Sequence, residues 1–167
     1  MVSAAIRLST LDFQFWIHNL QIPESVDLLV IGYGSTLRCD DSVGLRVADT
    51  IEAMNLPGVH TLTCNLLTPE LAETISQASR VVFVDAAVDA EGEIQLRELV
   101  PAKSSQIFAH AAEPGTLLAM ARDLYGRAPR AWCLAIPVDN LQIGEELSEK
   151  AQRGLTLAVE IIRKLAE

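Results

Sequence analysis

The chain has 167 residues, half of them apolar, enough for one buried core and too few for two domains of ordinary size. Its formal net charge is −9, from 22 acidic against 13 basic residues. A nucleic-acid binder needs a basic face to displace counterions, and no Lys/Arg cluster occurs, so nucleic acid and an anionic membrane surface are both excluded as partners. A folded protein partner or a metal cation suits the balance better.

Residues 1–25 read as an N-terminal extension, separate from a domain spanning 26–167. Arg7, Asp12, Gln14 and His18 break up its apolar runs, so it lacks the hydrophobic region of a signal peptide. Within it 9-STLDFQFWIHNL-20 reads as a short helix or strand packed on the domain, or equally as a poorly ordered extension, with Pro23 marking its end. No run approaches the ~18 apolar residues of a membrane span. Cys39, Cys64 and Cys133 are odd in number, widely spaced and without CxxC, which fits reduced thiols in a cytoplasmic protein.

Beyond Pro23 the apolar runs alternate between strand-like and helix-like periods. Segment 27-DLLVIG-32 is a continuous apolar run ending in glycine, as a strand buried on both faces would be. In 42-SVGLRVADTIEAM-54, Val43, Val47 and Ile51 recur at spacing four, giving an amphipathic helix stopped by Asn55 and Pro57-Gly58. Strand 59-VHTLTC-64 follows, then a helix opened by Thr68-Pro69 with Glu70 in its first turn. Segment 80-RVVFVDAA-87 is a second fully apolar strand, ending on an acid. Segment 93-EIQLREL-99 alternates as an edge strand with one wet face would. A loop through His110 leads to helix 114-PGTLLAMARDLYG-126, then strand 131-AWCLAIP-137 and a final helix at about 145–166. This order predicts an α/β fold: a single-domain three-layer α/β/α sandwich around a mostly parallel sheet with a mixed edge. Ligands of such folds sit beyond the carboxyl ends of the strands. Asp41, Asp85 and His110 are expected at that edge.

Gly32-Tyr33-Gly34 after a strand is two-thirds of a dinucleotide fingerprint, but the third position is Leu37 and the second strand closes on Cys64-Asn65 instead of an acid. A dinucleotide-binding oxidoreductase is therefore disfavoured, and without GK[ST] a P-loop is excluded. Taken singly, Asp40 and Asp41 read as a helix cap and a dipole-stabilised acid, Asp85 as a cap, and His110 as an ordinary loop histidine. Taken together, carboxylates and an imidazole at one edge make a mixed O/N cation site, suited to Ni, Zn, Fe or Mn. No GxSxG occurs. Cys39 beside the helix start is the one tempting nucleophile, and its acidic neighbours oppose thiolate formation.

The run G32-Y-G-S-T-L-R-C-D-D-S-V-G44, then V82-F-V-D85-A-A, then His110 before a helix, resembles the nickel-iron hydrogenase maturation endopeptidases over about residues 27–165. The family's first motif reads GxGNxLxxDxGxG or a close variant. This chain keeps both glycines, the leucine and the acid pair Asp40-Asp41, ends on Gly44, and departs at Ser35 and Ser42. Segment 135-AIPVDNLQIGEELS-148 also looks like the family's stretch before its last helix. The 64-CNLLTPE-70 segment, where many members have an Asp-Gly-Gly-Thr-like stretch, resembles the type serving bidirectional, NAD(P)-linked hydrogenases. The resemblance implies a cytoplasmic protease that removes a C-terminal extension from the precursor of a NiFe hydrogenase large subunit after nickel insertion. It also implies that Asp41, Asp85 and His110 are the catalytic, metal-contacting residues. Nickel would arrive with the substrate, and Zn or Cd would substitute in vitro. A non-enzymatic nickel-sensing or delivery module with the same three ligands is the alternative on the same fold.

Overall fold

Strand β1 (Val26–Tyr33) is almost wholly buried, as its unbroken apolar run requires of a strand with neighbours on both sides and helices on both faces. The computed structural model describes residues 26–88, 92–103 and 113–167. A 3-10 turn (Cys39–Ser42) leads into helix α1 (Val43–Ala53), followed by β2 (Val59–Cys64), α2 (Leu71–Gln77) and β3 (Ala78–Val88). Then come β4 (Gln95–Leu99), α3 (Pro114–Tyr125), β5 (Arg130–Val138) and α4 (Glu149–Ala166). The sheet order is β2-β1-β3-β5-β4, parallel throughout except for β4, which runs antiparallel to β5 at the edge. The expected α/β/α sandwich with a mixed edge is what forms.

Side chains alternate across the pleat and divide the core in two. Leu28, Val30, Val82, Val84, Leu134 and Ile136 face α1 and α4. Leu29, Ile31, Val81, Phe83 and Ala131 face α2 and α3. Helix α1 therefore lies on one face as it carries the chain from β1 to β2, and α2 lies on the other as it carries the chain back past β1 to β3. That reversal opens a crevice between the carboxyl ends of β1 and β3, the place where such sheets bind ligands.

The glycines of the first motif make this end of the sheet close. A Cβ on Gly32 would stand 2.1 Å from the carbonyl oxygen of Gly44, and one on Gly44 would stand 2.4 Å from that of Val84. Backbone meets backbone here, so α1 sits directly on β1 and β3 with no side chain between them.

Several boundaries differ from the sequence reading for identifiable reasons. Strand β3 continues to Val88, so Asp85 lies inside the strand, opposite Ala135, and not at its end. Helix α4 begins at Glu149 because Ser148 caps it, its side chain accepting from the Ala151 N–H. Helix α2 begins at Leu71, after the Thr68-Pro69 turn. In β4, four of five residues are exposed, so both faces are wet and not one. Among the described residues no helix is long and apolar enough to cross a membrane. Residues 1–25 and His110 lie outside the described residues.

Candidate active site

The chain leaves β1 through Gly34, whose φ of +139° is one that side-chain-bearing residues rarely adopt; a Cβ there would also lie 2.0 Å from the Asp41 carbonyl oxygen. This turn folds the acidic segment back over the strand end. Ser35 donates its N–H to Asp41 Oδ2 at 2.9 Å, and its Oγ accepts from the Leu37 N–H at 3.3 Å. The departure from asparagine at Ser35 thus keeps a short polar side chain able to bond the local backbone. Ser42 Oγ donates to the Cys39 carbonyl at 2.8 Å and accepts from Arg46 Nε at 3.2 Å, so this hydroxyl is committed to the turn.

The two adjacent acids part company. Asp40 is wholly buried and accepts from the N–H groups of Asp139, Asn140 and Ser148 and from the Ser148 hydroxyl. Burial pushes its pKa up, but those bonds, led by the two from Ser148, outweigh it and hold the carboxyl below the usual carboxylate range. Neither acid caps α1, whose N-cap residue, Ser42, makes no side-chain capping bond. Asp41 is half-buried and left for the lip of the crevice.

Asp85 meets that lip from β3. It shares the pleat face of Phe83, and Tyr33 shares that of Ile31, so the parallel β1–β3 register sets the two side by side. Tyr33 Oη donates to Asp85 Oδ2 at 2.9 Å. Burial raises the Asp85 pKa and the charge of Asp41 adds to it, against bonds from Tyr33 and the Ala86 backbone that lower it. The Tyr33 phenol is raised by burial first and then by the Asp85 charge it faces. Cys133 on β5 is raised likewise, by burial and then by Asp85, with Arg97 opposing.

Of the three residues singled out in the sequence, Asp41 and Asp85 lie at the same sheet edge, near enough for the Asp41 charge to act on Asp85, and the third, His110, lies outside the described residues. Among the described residues no group of three or more His, Cys, Asp or Glu is placed to hold a metal ion. The chemistry of the two carboxylates fits a divalent cation: a nearby positive charge would relieve the desolvation of Asp85 and the effect on it of the Asp41 charge. All three cysteines are free. Cys39 is buried, with its Sγ 2.8 Å from where a Gly144 Cβ would stand, so it packs against a neighbouring segment and is not presented as a nucleophile. A 380 Å³ concavity bounded by Ile94, Pro137 and Gly154 touches neither acid; its lining offers no converging carboxylates, and the chemistry belongs to the crevice.

Sequence reasoning passed over Tyr33 and the inward role of Asp40. Tyr33 carried a signal, being a hydroxyl-bearing residue two positions after a buried Ile31 and hence on the same face. Asp40 carried none that separates it from Asp41.

No protein-family model matches the chain, and no curated protein matches its sequence. Solved structures do. The NiFe hydrogenase maturation protease HybD from Thermococcus kodakarensis is 23% identical with a TM-score of 0.67, over 84% of this chain and 99% of that one. The hydrogenase maturating endopeptidase HybD from E. coli is 16% identical with a TM-score of 0.66, over 83% and 91%. The NiFe hydrogenase maturation protease HycI from Thermococcus kodakarensis KOD1 is 19% identical with a TM-score of 0.64, over 84% and 92%. The chain has the fold of these maturation proteases over 91–99% of their length.

Proposed function

We propose that this protein is an endopeptidase that removes a C-terminal extension from the nickel-loaded precursor of a NiFe hydrogenase large subunit in the cytoplasm. What supports the reading is the placement of Asp41 and Asp85 at the same β1–β3 edge of a chain with the fold of the maturation proteases. Asp41 and Asp85 offer carboxylate oxygens, and His110 an imidazole, to the nickel that the precursor brings; Zn or Cd would take the same donors in vitro. An ion shared between enzyme and substrate makes cleavage conditional on loading, a form of induced assembly. In the reaction a water oxygen bonds to the scissile carbonyl carbon, the C–N bond breaks, and the leaving nitrogen takes up a proton. The 64-CNLLTPE-70 segment favours a precursor of the bidirectional, NAD(P)-linked type.

Mass spectrometry of nickel-loaded and nickel-free large subunit, before and after incubation with this protein, tests the reading. Loss of a C-terminal peptide from the loaded form alone is expected. Asp41→Asn, which keeps the side-chain size and removes its charge, abolishes that loss while the fold persists. Nickel binding without any cleavage would instead assign a sensing or delivery module, and equal cleavage of both precursors would show that nickel is not read at this lip.

A further inference from the structure

The acidic turn is strapped to the segment that precedes α4. Cys39 N–H donates to the Gly144 carbonyl at 2.7 Å, Gly144 N–H to that of Leu37 at 3.0 Å, and Asp40 N–H to that of Asn140 at 3.0 Å. At the centre of these backbone bonds the Asp40 carboxylate collects its four donors, 2.7–3.3 Å away, from both ends of the 139–148 segment. We propose that Asp40 is a positioning residue: by tying the 139–148 segment to the turn, it fixes where the Asp41 carboxylate, bonded by the Ser35 N–H, sits at the β1–β3 edge.

The geometry of the turn couples the two residues through their shared backbone. In a 3-10 helix successive Cα–Cβ bonds project about 120° apart, so with Asp40 pinned inward the Asp41 side chain starts out on a different side of the turn. Asp40 and Asp41 are such neighbours, in a four-residue turn with too little length to absorb a rotation. Cys39, just before them, has a φ of +41°, a left-handed conformation that costs a non-glycine residue energy and persists only where surrounding bonds over-determine it. The strap supplies those bonds. Asparagine at position 40 would keep the shape but turn an amide donor toward a site lined by donors.

The inference rests on the reading of Asp41 and Asp85 as the reacting edge, and its test separates the two. In full-length Asp40→Asn, amide exchange followed by NMR reads the Ser35 N–H, which is bonded to Asp41 and not to Asp40. Its protection should fall by about tenfold or more beyond the change at Val30 in the β1 core, which reports global stability. Turnover of loaded precursor, assayed well below the melting temperature, should fall about 10–100-fold in kcat with KM within about threefold. Ser148→Ala, which removes one donor and guards against an unfolded Asp40→Asn, should give the same changes in smaller degree, and Ser148→Thr should restore both. Unchanged Ser35 protection, or an unchanged kcat with only a lower Tm, overturns the proposal and leaves Asp40 as a stabilising residue. Should wild type cleave no precursor, the proteolytic reading falls, and the Ser35 exchange result alone still decides the role of Asp40.

Discussion

The Tyr33 hydroxyl reaches across from β1 to donate to Asp85 Oδ2 at 2.9 Å, so the β3 acid at this edge is held by a phenol from the glycine loop itself. This bond favours the ionised carboxylate and opposes the rise that burial imposes on the Asp85 pKa. Tyr33→Phe removes it, and the Asp85 pKa should climb further. The acid limb of Cd²⁺ or Ni²⁺ affinity, measured calorimetrically between pH 5 and 8, then moves to higher pH. A limb that stays in place, or moves down, would show that the phenol does not govern Asp85.

Asp85 also costs stability at working pH. Its folded pKa lies above the ordinary 3.8, so its favourable contribution is complete below that value and is lost as pH rises through the folded pKa. Asp85→Asn should therefore raise Tm at pH 7.5 while abolishing processing. The gain should shrink as pH falls toward 3.8. Asp40 has the opposite sign: its depressed pKa gives stability above 3.8 that disappears as pH falls through the folded value. Thermal scans of wild type and Asp85→Asn across pH check both limbs.

Gly32→Ala should be among the most damaging single changes in the chain. The added methyl would meet the Gly44 carbonyl oxygen at 2.1 Å and the Ala48 Cβ at 3.0 Å, and neither is the end of a flexible side chain. Helix α1 would have to lift from the sheet, at a cost of about 3 kcal/mol or more. Urea unfolding should show a lower midpoint, with the acidic turn displaced and processing lost.

His110→Ala tests the imidazole. If His110 completes the donor set, its loss should weaken Ni²⁺ affinity at least about tenfold at pH 7.5, judged against the effect of outer-shell partners alone. Calorimetry on wild type and variant reads this directly. Equal affinities would leave the two carboxylates as the whole of the chain's contribution.

The primary structure determined the layers and their order by itself. Continuous apolar runs at β1, β3 and β5, helical spacing in α1, Pro114 at the start of α3 and alternation in β4 are local patterns, and period and hydrophobicity alone place them. The same patterns put Asp41 and Asp85 at the carboxyl edge, because the chain order makes β1 and β3 the strands whose ends border the crevice. The resemblance singled out Asp41 of the two adjacent aspartates, but only the tertiary structure shows that Asp40 is the one turned inward. Asp40 turns inward because its donors stand about a hundred residues away in the 139–148 segment, and nothing local distinguishes it from Asp41. The pairing of Tyr33 with Asp85, 52 residues apart, likewise depends on the parallel register of two strands. Helix α4 starts at the Ser148 cap and not at the first residue of its apolar period, because an unsatisfied N–H at a helix end needs a partner whatever the periodicity suggests. Pattern fixes which face a residue occupies; register and loop contact, both long-range, fix what it touches there.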